Sequence, residues 1–352
     1  MDIAPKRKPT IDDVAALSRV ARVTVSRVIN GEPGVRAATR QRVLDAIAQL
    51  GYKVNVQARN LAAGNSRQIM LVHESDVDAE PNSYYFSGLE LGALTGCARH
   101  GYQLAVQAID PHKDGGRRQI QEQIDSGRCD GLILTPPFSD RYDLVEALIE
   151  LHCPVICIAA GAAVRAIAAS IGIDDERAGY DMARHLLALG HRRIGYIHGI
   201  EGHESAEGRY AGFARALREM GISPDPESVA RGNFTFRSGI DGAEHILAGS
   251  GVTAIMCAND DMAAGALLTC HKRGLAIPGD VSVVGFDDTP VSDIVWPPLT
   301  TVHQPIKEVG RQAAIALIKH IEVGAGAAGY RYDFIAHRIV ERQSAGPPSR
   351  QG

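Results

Sequence analysis

The chain lacks most of the features that mark an exported, membrane-bound or disulfide-stabilised protein. Its 352 residues include only six cysteines, one tryptophan and 5% aromatic residues. No stretch comes near the roughly 20 consecutive apolar residues that a membrane-spanning helix needs. The beginning does not read as an export signal either, because Lys6-Arg7-Lys8 is followed by Asp12 and Asp13 rather than by an apolar core. The cysteines, at 97, 129, 153, 157, 257 and 270, fall inside apolar segments and form no C-x-x-C pair. Cys153 and Cys157 would share one strand face about 13 Å apart, at about 3.3 Å per residue, too far to hold one metal. Reduced core thiols in a cytoplasmic protein, with no metal and no cofactor, are expected. With 45% apolar residues the chain is ample for a small head and a larger body of roughly 250 residues divided in two.

The stretch from Thr10 to Asn30, TIDDVAALSRVARVTVSRVIN, carries the strongest local signal. Thr10 can cap a helix whose Asp13 reaches back in a capping-box exchange, and acids in the first turn suit the helix dipole. Val14, Ala15 and Leu17 supply its apolar side. After a break at residues 18–21, a second helix turns Val25, Val28 and Ile29 inward and projects Arg22, Thr24, Ser26 and Arg27 from other faces. Gly31-Glu32-Pro33-Gly34 stops it. Thr39 to Leu50 predicts a third helix, with Val43, Ile47 and Leu50 at i, i+4 and i+7. Three helices so spaced make a helix-turn-helix, whose second helix enters the major groove of DNA.

Charge distribution supports that reading over a merely solvated helix face. Residues 1–65 hold eleven Lys and Arg against five acids, and the remainder 26 against 36. A head of +6 therefore precedes a body of −10, the asymmetry that phosphate binding at one end requires.

In the body, QIMLVH, YQLAVQA, DGLILT, PVICIA, SIGI, RIGYIH, AIMCA and VSVVGF are short apolar runs separated by helical segments. Gly101, Gly190, Gly221 and Gly274 each stand between a helix and the next strand, as left-handed caps do. Such alternation predicts parallel sheets covered by helices, one sheet before about residue 170 and one after. Open α/β sheets bind ligands at strand ends, where Asn259-Asp260-Asp261 and Asp287-Asp288 lie. The paired acids also fit a glycosidase, but nothing else in the chain supports one. Three motifs mislead. Gly324 to Gly329 fits G-x-G-x-x-G but follows a helix instead of preceding one. His203-Glu204 lacks the second histidine of a zinc site, with Glu207 in its place. Asn233-Phe234-Thr235 is a glycosylation sequon without meaning unless the chain is secreted.

DDVAALSRVARVTVSRVINGEPGV and TRQRVLDAIAQLGYKVNVQARNLAAG resemble the head and hinge of the lactose-repressor (LacI/GalR) family of transcription regulators, and ANDDMAAGAL and DVSVVGFDDTPVSDIVWPPLTTVHQP resemble its effector domain. The resemblance covers nearly the whole chain. It implies an all-α helix-turn-helix head at 1–50 and a linker with a hinge helix at 51–65. An α/β effector domain follows at 66–342, of two parallel-sheet subdomains (periplasmic-binding-protein-like), and a tail at 343–352. The subdomains would be 66–171 with 304–325, and 172–303 with 326–342. Four positions depart from the family: Arg19 stands at the usual turn glycine, Ala21 and Arg36 at capping serines, and Val54 at a hinge proline. A left-handed non-glycine costs about 1 kcal/mol, and a lost serine cap about the same.

The same matching implies site residues. Arg22 and Val23 face base edges, the arginine able to grip guanine and the valine a thymine methyl. Thr24, Ser26 and Asn30 fix register on phosphates and Arg27 can do either. Asn55, Ala58 and Leu61 belong to the hinge helix, where Leu61 wedges into the minor groove. In the cleft, Arg209, Asn259 and Asp287 bond sugar hydroxyls while Phe234, with Phe86 opposite, stacks on the ring. Each has an ordinary alternative: Asn259 as a helix cap, Asp287 in a turn, Arg209 in an ion pair, the phenylalanines as core. The expected protein is a homodimeric, non-enzymatic repressor. It binds a pseudo-palindromic double-stranded operator under control of a small effector, most plausibly a sugar or glycoside. The end of the chain is too short and proline-rich for tetramer-forming heptads. A sugar-binding protein without DNA regulation, or a carbohydrate-active enzyme, are the alternatives.

Overall fold

The computed structural model describes residues 9–53, 66–74, 83–110, 115–249, 251–323 and 332–349. The chain divides into two units, residues 1–66 and 67–352. The hinge positions Asn55, Ala58 and Leu61, and the glycine-rich run at 324–329, lie outside the described residues.

In the first unit, α1 (Ile11–Ser18) opens on a complete capping box: Asp13 N–H donates to Thr10 Oγ1 at 3.4 Å and Thr10 N–H to Asp13 Oδ2 at 2.7 Å. It ends at Arg19, whose φ of 54° is the left-handed turn the sequence implied. Then follow α2 (Arg22–Ile29) and α3 (Ala37–Leu50), which begins two residues before its expected start. Neither Ala21 nor Arg36 supplies a side-chain cap. The core is Val14, Ala15, Val25, Val28, Val43 and Ala46. Leu17 is not in it: at 43% exposure it sits beside the buried stripe of Val14, Ala15 and Ser18, and Ser18 Oγ–H is spent on Val14 O at 2.6 Å.

The second unit contains two six-stranded sheets. The first is ordered β2-β1-β3-β4-β5-β11 and comprises β1 (Gln68–Glu74), β2 (Gln103–Ile109), β3 (Gly131–Leu134), β4 (Val155–Ile158), β5 (Ser170–Gly172) and β11 (Tyr332–Phe334). The second, β7-β6-β8-β9-β10-β12, comprises β6 (Ile194–His198), β7 (Val229–Arg231), β8 (Ala254–Cys257), β9 (Ser282–Asp287), β10 (Thr300–His303) and β12 (Arg338–Val340). Among the described strands only β10 and β12 pair antiparallel. Both faces of the first sheet are buried. Ile69, Leu71, Ile133 and Ile156 enter one core while Met70, Val72, Leu132 and Leu134 enter another, which is why these strands read as unbroken apolar runs.

The chain crosses between the sheets three times: after β5, after β10, and between β11 and β12. The last crossing corrects an expectation. Residues 326–342 do not belong whole to the second subdomain, because Tyr332–Phe334 pairs with β5 in the first sheet and only Arg338–Val340 joins the second. The stretch expected as a tail is likewise stitched down: Thr300 N–H donates to Ser344 Oγ at 2.8 Å and His191 Nε2 lies 2.9 Å from Gly346 O.

Two helices of the second subdomain, Asp175–Ala188 and Glu204–Glu219, touch backbone to backbone. A Cβ on Gly179 would run into Arg209 O, and one on Gly212 into Glu176 O. The cleft arginine is therefore carried on a helix with no room to slide.

Candidate functional site

The head presents its candidate contacts on α2. Val25 and Val28 point inward, so Arg22, Val23 and Arg27 are left on the exposed side, with Asn30 ending the helix and Thr24 and Ser26 half-buried. Val23 is 63% exposed, unusual for an apolar residue in so small a core and suited to a methyl contact. Arg22 lies 3.8 Å from Asp12 and Arg27 3.5 Å from Glu32. Exposed pairs of this kind are worth about 1 kcal/mol at most, so phosphates can displace them.

The second candidate site lies between the two sheets, at strand ends. Arg209 is 5% exposed, so its charge must be answered inside the protein. Its Nε–H donates to Asp175 Oδ1 at 2.9 Å and an Nη1–H to Ala258 O at 2.6 Å. The same nitrogen is 3.8 Å from Asp287 Oδ1, and the guanidinium lies 3.7 Å above the centre of the Phe286 ring. Burial opposes the charge, but Asp175 and Asp287 raise the arginine's pKa above its ordinary value.

Arg209, Asn259, Asp287 and Phe234 do come together. Asn259 performs its alternative role, its Oδ1 accepting Met262 N–H at 3.0 Å as the cap of helix Asp260–Lys272. Its Nδ2–H donates to Phe234 O at 2.8 Å, which leaves one amide hydrogen and a carbonyl lone pair. This bond helps hold Phe234 at φ 65°. Asp287, at φ 108°, accepts from Gln304 Nε2 at 2.9 Å. Phe86 stacks on His73 with centroids 4.9 Å apart and meets Tyr85 edge-on at 5.5 Å; the ring beside Phe234, 5.8 Å away, is His203.

Several partners went unread in the sequence. Tyr85 is coupled to the charges of the second subdomain: burial raises its hydroxyl pKa, Arg209 opposes the rise, and Asp287, Asp175 and Asp140 add to it. Asp140, in the turn after β3, accepts Gly161 N–H at 3.1 Å in its own subdomain and Glu204 N–H at 3.2 Å in the other. Glu74, ending β1, lies 3.9 Å from His203 Nε2. Asp175 stands after β5 as Asn259 stands after β8, so the strand-end rule would have found it.

Burial pushes Asp140 and Asp287 each up to about 7, against the pull of hydrogen bonds at the first and chiefly of Arg209 at the second. Asp175 is raised by burial despite Arg209. Burial and the nearby Arg209 push His203 down to about 4, so it is neutral at physiological pH. Asp260 is committed to the fold, accepting from Thr301 Oγ1 at 2.6 Å and Thr289 N–H at 2.7 Å. A cavity of about 580 Å³ opens beside the crossings, lined by Asp287 and Gln304 together with Tyr84, His303 and Lys307. Among the described residues, no helix is long and apolar enough to cross a membrane and no group of His, Cys, Asp and Glu is placed to hold a metal.

Comparison with known proteins agrees with this geometry. The family profile described as "Bacterial regulatory proteins, lacI family" matches residues 10–55, and that of the "Periplasmic binding protein-like domain" residues 183–345. The HTH-type transcriptional repressor CytR of Escherichia coli (strain K12) is 32% identical over 323 residues, 90% of this chain and 92% of the relative. Among solved structures, a lac repressor dimer bound to operator and the anti-inducer ONPF is 28% identical, with a TM-score of 0.84 over 97% of this chain and 100% of that one. A complex of the transcriptional regulator CelR with cellobiose is 29% identical, with a TM-score of 0.73 over 96% of this chain and 100% of that one.

Proposed function

Because the chain belongs to the lacI family of bacterial regulatory proteins, we propose that its head holds operator DNA while a sugar or glycoside in the cleft sets the strength of that hold. It acts in the cytoplasm as a homodimer on a pseudo-palindromic site and catalyses no reaction. The observation that carries the reading is the meeting of Arg209, Asn259, Phe234 and Asp287 at the strand ends, facing Tyr85 and Asp140 of the other subdomain. Polar groups around an aromatic face suit a polyol ring. The Arg209 helix meets the first subdomain across the cleft at Asp140, so a ligand touching both sides favours one arrangement of the two. Altering that arrangement shifts the hinge, and such coupling is typically worth about 1 to 3 kcal/mol. On the head, Arg22 and Val23 read bases, Thr24, Ser26 and Asn30 fix register, and Arg27 serves either purpose. Asn55, Ala58 and Leu61 contact the minor groove.

The test pairs two measurements on the full-length protein. Selection of bound duplexes from a random pool should return a near-palindromic sequence, and a sugar that raises the melting temperature should change the affinity for it. Sugar binding without any retained duplex would leave a sugar-binding protein, and turnover of a glycoside would make it an enzyme.

A further inference from the structure

We infer that the cleft selects by charge, taking a polyhydroxylated ligand that is neutral or bears an amine and rejecting phosphorylated sugars and sugar acids. The inference rests on the cleft being the effector site and specifies which effectors can occupy it.

Contacts across and within the cleft join Glu74, Tyr85, Asp140, Asp175, His203, Glu204, Arg209 and Asp287. Five of these are carboxylic acids and one is a guanidinium. A single arginine can still anchor an anion if its donors are free, as a bidentate grip requires. Here the edge that a side-on grip uses is taken: Nε is on Asp175, one Nη1–H is on a backbone carbonyl with Asp287 close by, and one face is covered by Phe286, which leaves Nη2 to bond a hydroxyl. To grip through Nε as well, an incoming phosphate or carboxylate would have to displace Asp175 and leave that buried acid unanswered. His203 cannot substitute, since it is buried beside Phe234 and Glu74, and burial and the Arg209 charge keep it neutral.

Among the described residues, the nearby arginines are already engaged and Lys307 stands to one side of the Arg209 cluster, in the cavity it shares with Asp287. Arg165 lies over the Tyr332 ring at 4.6 Å, and Arg311 is paired with Glu308. Lys307 lines the cavity beside the crossings with Tyr84 and His303. From residue 68 to residue 98, the stretch that supplies Glu74, Tyr85 and Phe86, there is no lysine or arginine at all. A hydroxyl donates to these carboxyl groups and an ammonium group holds them ionised; an added negative charge meets more acids than bases and, above pH 7 where Asp140 and Asp287 are ionised, is repelled by them.

The test is a thermal-shift and calorimetry panel on the full-length protein in which each neutral mono- or disaccharide stands beside its 6-phosphate, its uronic acid and its 2-amino derivative. Wherever a neutral sugar binds, the inference expects its phosphate and uronate to bind at least a hundredfold more weakly and its amino derivative to bind as well or better. A phosphate or uronate that equals or exceeds its neutral parent overturns the inference and leaves the effector reading intact. Silence from every member, neutral ones included, overturns the effector reading and this inference with it.

Discussion

The carboxylate of Asp140 reaches across the cleft to accept the backbone N–H of Glu204 at 3.2 Å, capping from one subdomain a sixteen-residue helix that belongs to the other. Its second oxygen is held at home by Gly161 N–H. The bridge ties the two subdomains together at the first residue of the helix that carries Arg209.

Removing it should therefore weaken closure. In Asp140→Ala the effector Kd is expected to rise about tenfold, the scale of losing one hydrogen bond to a charged acceptor. DNA affinity in the absence of effector should move less. Titration calorimetry and duplex retardation on one preparation separate the two, and an unchanged effector Kd would show that the bridge does not govern closure.

Asp287→Ala removes both the acceptor of Gln304 and the nearest counter-charge of Arg209 after Asp175. The expected outcome is loss of the effector-induced rise in melting temperature with operator binding retained. A full rise in the variant would take Asp287 out of the site.

The same residue makes a pH prediction. Its pKa is about 7 folded, far above the ordinary range for an unfolded aspartate, so between pH 4 and 7 the folded state holds a proton that the unfolded state has lost. Its contribution to stability is full below pH 4 and is lost as pH rises through 7, by roughly 1.4 kcal/mol per pH unit at most. Asp140 adds a decline of the same sign. Ligand-free Asp287→Asn should thus be less destabilised than the wild type between pH 5.5 and pH 8, as melting curves at the two pH values would show.

Gly179→Ala places a methyl against Arg209 O, where neither helix can yield without moving the arginine. A loss of about 3 kcal/mol, the upper end for overpacking, is expected together with loss of effector binding. Gly249→Ala, which meets nothing within 4 Å, is the matched control and should change neither.

In the head, Arg19→Gly relieves a left-handed arginine and Ala21→Ser restores a cap to α2. Each should stabilise the head by about 1 kcal/mol. Amide exchange of α1 and α2 in the full-length protein is the readout, with slower exchange expected in both variants.

The sequence carried more of the architecture than of the cleft. Eight strands were visible as apolar runs, most of them buried on both faces although β2 is partly exposed, and the head was visible because its capping box and periodicity are local. Val229–Arg231, Thr300–His303 and Arg338–Val340 were not read as strands, because they lie at sheet edges or beside crossings and mix polar residues with apolar ones, so the apolar signal is diluted. Arg209, Asn259 and Asp287 could be matched by motif, but their pairing with Asp175, Ala258 and Gln304 is tertiary. Tyr85 and Asp140 face the site from a different sheet, and nothing in spacing along the chain announces that. His203 was weighed only as a failed zinc ligand; its place beside Phe234 and Glu74 comes from its position immediately before the Arg209 helix.

The three crossings also set the order in which the molecule is finished. The first subdomain draws Ile306, Val309, Ala313 and Leu317 into its core from the helix before the last crossing, and its outer strand from residues 332–334. On the ribosome, the head is complete once residue 50 has emerged, whereas the controlling body lacks a wall until about residue 335. At about 5 to 20 residues per second that interval lasts roughly 15 to 60 s. Each newly made chain thus acquires its DNA reader before it acquires the cleft that governs it.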